Sequence, residues 1–462
     1  MVIQIAPTDT IINFLATRCS YARKHERMVK AVHNVLFISF IFPPLAAPGS
    51  RHNLSTVRGL LREGFSPTVV TAPEAVPTVP LLLSAVVRSL KPSASHWPRD
   101  EYLQSKIPKE VTVVRFPWRL GHRRVVREMA DHFRVPQLKY FFHYERNCIS
   151  KVARKALEAK EFDFIYSVDG IGVEHSAALE LKRSTGLPWV AEFRDPWIHA
   201  STEWEQIRDT SWHWWYSHQF KQVRRLEQEI VDNADLVVVE SPLHAEYLIR
   251  DFKLDAHKVV PFGIGFDSAY LSDMSEVLVA FPRRPVIGFV GRIYYGYQYV
   301  IKNLIDALKM LELEGYHFTL VSVGDDRTFR TFASEARLRN FVPFGNVNYS
   351  LALSIMSALD FGVVAACEKC ASNINSKLWE YLALNLSILA ISPRGGSMNA
   401  LISAGNCGYV LPYDVDSMVP ILKTALDDFE DKHVKRASSE FIQGYSRQTM
   451  VAKLAKKLEE LI

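Results

Sequence analysis

Short, continuously apolar runs alternate with segments of helical period along this chain, and that alternation limits the folds open to it. VLFISF (35–40), TVV (68–70), VTVVRF (111–116), FDFIYSV (162–168), WVAEF (189–193) and DLVVVES (235–241) are the first series. Helical segments at 51–63, 173–185 and 217–233 lie between them. A strand without a polar face must be covered on both faces, and parallel strands need crossovers long enough to hold a helix. The first series therefore predicts a parallel sheet with helices on either side. The pattern then repeats with VIGFVG (286–291), FTLVSVG (318–324), FGVVAA (361–366), SILAIS (387–392) and YVLPY (409–413). Its helical segments fall near 299–314, 350–358, 376–384, 397–404 and 415–428. SDMSEVLVAFPRRP (272–285) is irregular, ends in prolines and reads as a linker. The expectation is an α/β chain with two doubly wound domains in tandem, closed by a polar C-terminal helix.

Composition narrows the class. The chain has 462 residues, 48% of them hydrophobic and 23% charged, which fits packed domains and excludes a disordered chain. Its five cysteines, Cys19, Cys148, Cys367, Cys370 and Cys407, are odd in number and scattered, unlike a secreted disulfide framework. Cys367 and Cys370 form a C-x-x-C with no second pair at zinc spacing, so no metal is expected. No run reaches the ~18 apolar residues of a spanning helix, and the expected compartment is the cytosol. Residues 1–27 lack the apolar core of a signal peptide and lead into nothing periodic; they read as a loose extension.

In open α/β sheets ligands bind beyond the carboxyl ends of the strands, where helix N-termini can meet phosphates. Four loops qualify: PPLAAPGSRHN (43–53), with Gly49 ahead of a helix; GRIYYGYQY (291–299), with Gly291 and Arg292; the approach to SKLWEYL (376–382); and SPRGGSMN (392–399), with Gly395 and Gly396. Three belong to the second domain, and they bring the cations Arg292, Lys377 and Arg394. Lys377 is unusual. Asn375 or Ser376 can cap the helix, which puts the lysine in its first turn, where the amides already make a positive end. A bound diphosphate would neutralise it, and Glu380, one turn on, could accept hydrogen bonds from ribose hydroxyls. The alternative is a solvated Lys–Glu pair at i, i+3.

GFVGR (288–292), NSKLWEYLALN (375–385), SPRGG (392–396) and GNCGYVLPYD (405–414), taken together, resemble the nucleotide-sugar domain of family 4 retaining glycosyltransferases of the GT-B fold. FPPLAAPGSRHNLSTVRGLLREGFSPTVVTA (42–72), AEFRDPW (191–197), ADLVVVESP (234–242) and VVPFGIGFD (259–267) agree with that family's first domain. The resemblance covers most of 33–430. It implies two Rossmann-like domains facing each other across a cleft. Residues 1–32 would be the extension, 33–271 the acceptor-binding domain, 272–285 the linker, 286–430 the nucleotide-sugar domain and 431–462 the C-terminal helical segment.

The activity so implied is transfer of a hexosyl-type sugar from a nucleoside diphosphate sugar to an acceptor hydroxyl, without metal or other cofactor, in surface polysaccharide or glycolipid synthesis. Carried over by residue, Arg292 and Lys377 hold the diphosphate, and Glu380 binds the ribose. Gly49 and Gly291 lie in the loops beside the diphosphate, Leu378 follows the lysine in the same turn, and Gly395–Gly396 line the nucleotide. Many members have an acidic residue eight positions before the glutamate; here that is Ser372, which leaves donor-sugar recognition to Asn373 or Asn375. Many also have a lysine where this chain has Tyr297, and Lys302 is the next candidate. In the first domain Asp195, beside Arg194, either faces the reaction centre or caps the turn before Pro196. His175 reads as a helix-surface residue, and Trp212, Trp214 and Trp215 as sugar-stacking, membrane-touching or core.

Residues 115–155 carry eleven basic residues against Glu128, Asp131 and Glu145, with aromatics interleaved. That stretch suits an anionic membrane surface, a peripheral place at its inner face and a lipid-linked or saccharide acceptor, or else a solvated helix face. The net charge of +5 and the absence of a recognised module argue against nucleic acid. Two other classes stay open: a GT-B nucleotide-sugar epimerase, and a non-catalytic nucleotide-sugar-binding subunit of a glycosyltransferase complex.

Overall fold

A computed structural model describes residues 33–74, 99–116, 143–169, 172–198, 213–272, 274, 279–293, 298–324, 327–366 and 370–462. The extension before residue 33, most of the basic stretch, Trp212, Tyr297 and Cys367 lie outside them. The chain divides into two compact units, one covering the described part of 33–263 with Met450–Ile462, the other Ile264–Thr449. Residues 279–285 therefore belong to the second unit. The last turns of the helix Arg447–Glu459 belong to the first, where Val451 packs on Gly59.

The first unit is built on β1 (His33–Ser39), β2 (Phe65–Thr71), β3 (Thr112–Arg115), β4 (Phe164–Val168), β5 (Trp189–Phe193), β6 (Leu236–Val239) and β7 (Val259–Pro261). They form one sheet in the order β3-β2-β1-β4-β5-β6-β7, every neighbouring pair parallel. The second unit holds β8 (Val286–Gly291), β9 (Thr319–Gly324), β10 (Phe341–Gly345), β11 (Phe361–Ala365), β12 (Ser387–Ile391) and β13 (Gly408–Leu411). Their order is β10-β9-β8-β11-β12-β13, again parallel throughout.

Helices cover both faces, as the apolar runs require. Ile287, Phe289, Leu320, Phe361, Val363 and Leu389 pack into one core with the helices Gln298–Leu313 and Val415–Glu430. The alternate residues Val286, Val290, Val321, Val364 and Ile388 pack into another with Tyr349–Ser357, Ser376–Ala383 and Ser397–Gly405. Two tandem doubly wound, Rossmann-like units are thus present. β7 and β10 are strands beyond the expected set. Both are edge strands; β10 is half-buried along its length and contains Pro343, so neither carries the apolar signature of a central strand.

Each sheet changes its direction of winding beside its first strand, and there the strands part. β8 pairs with β11 only as far as Phe289–Val363. The next β8 amide, Val290 N–H, donates to the Tyr381 hydroxyl at 3.1 Å. β1 pairs with β4 as far as Ser39–Val168, and the next amide, Phe40 N–H, donates to Glu174 Oε1 at 3.0 Å. Buried amides must find acceptors. In both units the acceptor is a side chain of the helix that follows the neighbouring strand. The crevice at the carboxyl ends of β8 and β11 is where a doubly wound fold takes its ligand.

Candidate functional site

The helix Ser376–Ala383 starts where Asn375 caps it, its Oδ1 accepting the Lys377 N–H at 2.9 Å. Leu378, Trp379, Tyr381 and Leu382 are fully buried, so this face is fixed in the core and Leu378 can meet a ligand only through its backbone. Lys377 and Glu380 face away from it. Lys377 Nζ donates to Glu380 Oε2 at 2.6 Å, and the two side chains keep 24% and 19% of their exposure. Tyr349 donates its hydroxyl to the other carboxylate oxygen, Oε1, at 2.9 Å, and Lys377 Nζ lies 5.5 Å from the Tyr349 ring centre. The pair is real, but only partly solvated. Its lysine still stands at the positive end of a helix with no acidic residue in its first turn.

The turn after β12 is tied to the loop ahead of this helix. Ser397 N–H donates to the Ala371 carbonyl at 2.7 Å. A Cβ on Gly396 would come within 3.0 Å of that carbonyl, so only glycine lets the two loops approach so closely, and Gly395 beside it has φ +74°. Gly396 also caps the helix Ser397–Gly405 without a side chain. Around this junction Ser372 is buried, and Asn373 Oδ1, Ser392 Oγ and Ser397 Oγ are buried with no hydrogen-bond partner among the described residues. Gly291 closes β8, and Arg292 follows it, exposed. β8, β11 and β12 are adjacent in the sheet, so their carboxyl ends bring Gly291–Arg292, 372–380 and 392–397 to one edge. Arg394 is exposed on the last of these turns. Among the described residues no three His, Cys, Asp or Glu side chains cluster as a metal site, and Cys370 is buried.

In the first unit the helix after β1 runs from Pro48 to Arg62 and so includes Gly49 in its first turn. A Cβ on Gly49 would collide with Nη1 of Arg194, so the guanidinium lies against the glycine backbone. Asp195, next to it, is exposed. Beneath them is a polar core that the sequence reading missed. Glu192, on β5, takes His52 Nε2 on Oε1 and the Tyr166 hydroxyl at 2.7 Å on Oε2. His175 is not a surface residue. It is fully buried, its Nδ1 2.8 Å from Ser167 Oγ and its ring packed on Phe193 and Trp197. Burial drives its pKa down to about 3 despite the nearby Glu192 charge. The reason is local: the helix Val173–Thr185 buries its first turn against β4 and β5, so helical period alone placed this residue on the wrong side.

Residues 49–265 match the family described as glycosyl transferase 4-like domain. The match covers a little under half of the chain. The matched residues include Gly49, Arg194 and Asp195; the Lys377 helix lies beyond their end. A D-inositol 3-phosphate glycosyltransferase of Corynebacterium jeikeium (strain K411) is 34% identical over 107 residues, 21% of this chain and 25% of that protein. This chain therefore matches only a quarter of that relative's length. A glycosyltransferase from Rickettsia africae ESF-5 superposes with a TM-score of 0.57 at 13% identity, covering 93% of this chain and 98% of its own. The catalytic domain of starch synthase IV from Arabidopsis thaliana, bound to ADP and acarbose, gives 0.55 at 12% identity over 94% and 99%. The two structures share the fold with this chain.

Proposed function

We propose that this chain is a retaining glycosyltransferase that moves a hexosyl-type sugar from a nucleoside diphosphate sugar to an acceptor hydroxyl, with the donor on the second unit and the acceptor on the first. The observation that carries the reading is the partly buried Lys377–Glu380 pair at the positive end of a helix, beside the parted β8 and β11. The match of residues 49–265 to the glycosyl transferase 4-like domain, and the names of the proteins the chain resembles, support the reaction class.

In this mechanism the diphosphate replaces Glu380 as the partner of Lys377, Arg292 adds a second cation, and the released carboxylate turns to the ribose. Charge that builds on the leaving diphosphate as the glycosidic bond breaks is met by these two cations, so no metal is required. Asn373, with its orphaned oxygen, and Asn375 would read sugar hydroxyls where Ser372 has no carboxylate. Backbone groups of Leu378 and the Gly395–Gly396 turn complete the lining, and Asp195 faces the acceptor. The absence of a carboxylate at Ser372 also favours a second reading, in which the chain binds the donor for a larger complex and does not turn it over.

Thermal-shift screening of nucleotide sugars, followed by incubation of the stabilising donor with candidate acceptors, separates these outcomes. Sugar trapped on an acceptor with its anomeric configuration retained is expected. Epimerised free sugar, or stabilisation without any turnover, would overturn the transferase reading.

A further inference from the structure

The helix His213–Asn233 carries a glutamate that the mechanism above leaves unused. Glu227 is fully buried. Its Oε2 accepts the Ile198 N–H at 3.2 Å, and the Trp197 amide donates to the same carboxyl, while Oε1 is buried without a partner among the described residues. Trp197 and Ile198 follow directly on Arg194–Asp195–Pro196, the turn at the carboxyl end of β5. Trp197 is held a second time, its indole Nε1–H donating to Asp169 Oδ2 just past β4. Two carboxyl groups on separate elements therefore grip one short turn. A buried amide deprived of its acceptor keeps its full desolvation penalty, so these bonds restrain the turn strongly.

We propose that Glu227 is a positioning residue, its carboxyl fixing through the Trp197 and Ile198 amides where Arg194 and Asp195 stand at the end of β5. The inference rests on the first unit being the acceptor side of a glycosyltransferase, but the restraint itself can be measured without turnover. Burial pushes the Glu227 pKa up to about 8, and Asp169 adds to the rise; the two amides and Arg224, on the same helix, oppose it. The helix Val173–Thr185 also packs on this one and brings His175 against the Trp197 ring, where burial keeps that histidine neutral. At neutral pH the group is thus a neutral acceptor for two amides. Once the turn opens, the carboxyl is exposed and ionises as an ordinary carboxylate does, so opening becomes easier as pH rises towards 8 and no easier beyond it.

The test uses the full chain, with Glu227→Gln, which keeps an acceptor oxygen and cannot ionise, and Glu227→Ala, which removes the acceptor. Hydrogen exchange of peptides spanning the turn, corrected for the intrinsic rate, is followed at pH 7 and pH 9 beside kcat and KM. At pH 7, E227A should lose about tenfold in protection and E227Q little; at pH 9 the wild type should lose protection and E227Q keep it. Wild-type kcat should fall on an alkaline limb that E227Q lacks, with the donor KM unchanged. Equal protection in all three proteins, or an alkaline limb that survives in E227Q, overturns the proposal. Altered protection without turnover in any variant would instead overturn the glycosyltransferase reading and leave the restraint standing. If E227A does not fold, the pH comparison of wild type with E227Q still decides.

Discussion

Lys377 and Glu380 hold each other, and that makes their two substitutions informative in opposite ways. Lys377→Ala removes a cation from the positive end of the helix, which relieves about 0.3–1 kcal/mol of unfavourable charge while losing a partly exposed pair of similar worth. Its melting temperature should therefore hardly move. Its kcat should fall by about a hundredfold or more, because the lost interaction grows as the diphosphate leaves. Glu380→Gln keeps an acceptor for Tyr349 and should mainly weaken nucleoside diphosphate affinity, since ribose contacts barely change along the reaction. Calorimetric titration with a nucleoside diphosphate, beside turnover, checks both. A merely structural pair would give unchanged affinity and turnover. His175 makes a pH prediction of its own. With a pKa near 3 when folded against 6.5 as the reference, it stays neutral in the native state at any ordinary pH. Above 6.5 neither state is protonated and it contributes nothing. As pH falls below 6.5 the unfolded chain binds a proton that the native state refuses, so stability is lost. Between pH 6.5 and 5 that loss is about 2 kcal/mol, and His175→Gln should flatten the slope of unfolding free energy over that window.

At the scale of elements, the parted strand pairs open the crevice on which the proposed donor site rests. Tyr381 keeps β8 apart from β11 beyond Phe289–Val363 by accepting the Val290 N–H, two residues before Arg292. Tyr381→Phe leaves that buried amide without an acceptor and should cost about 1–3 kcal/mol of stability by denaturant unfolding, with weaker nucleoside diphosphate binding. Stability equal to the wild type would show that the hydroxyl does not hold the strand end. None of this is visible in the chain's local pattern. Tyr381 reads there as one position of an apolar stripe, and Glu174 reads as an ordinary charge on a helix, 134 residues from the amide it satisfies. Lys377, Gly395–Gly396 and Gly291–Arg292 stand out as candidates in the sequence because each sits in a short contiguous motif at a strand end, where doubly wound folds take their ligands. Tyr349, His52, Glu192 and Glu227 do not, because their partners come from other elements and no spacing announces them. The central strands were legible for the opposite reason from the edge strands β7 and β10: burial on both faces leaves an unbroken apolar run, and an edge does not.

For the whole molecule, each unit has its own sheet and its own cores, and the candidate donor residues other than Gly49 belong to the second. Lys151, Arg154 and Lys155 are exposed on the helix His143–Ala159 in the first, although Arg154 is engaged by Glu180. If this face and the basic stretch before it meet anionic lipid, co-sedimentation with phosphatidylserine vesicles should weaken steeply between ~0.05 and ~0.5 M salt and vanish on neutral vesicles. Salt-insensitive binding would contradict an electrostatic contact. A nucleoside diphosphate bound at 100 times its dissociation constant should stabilise the protein by about 2.7 kcal/mol. Where that stabilisation falls tests the central claim most directly. Hydrogen exchange of the full chain should be compared with and without saturating UDP, GDP and ADP. At least one of them should slow exchange at the strand-end segments around 291–292, 371–380 and 392–397, and Lys377→Ala should lose that protection. No protection there with any of the three, or protection confined to the first unit, would contradict the assignment of the Lys377 helix as the nucleotide-sugar site.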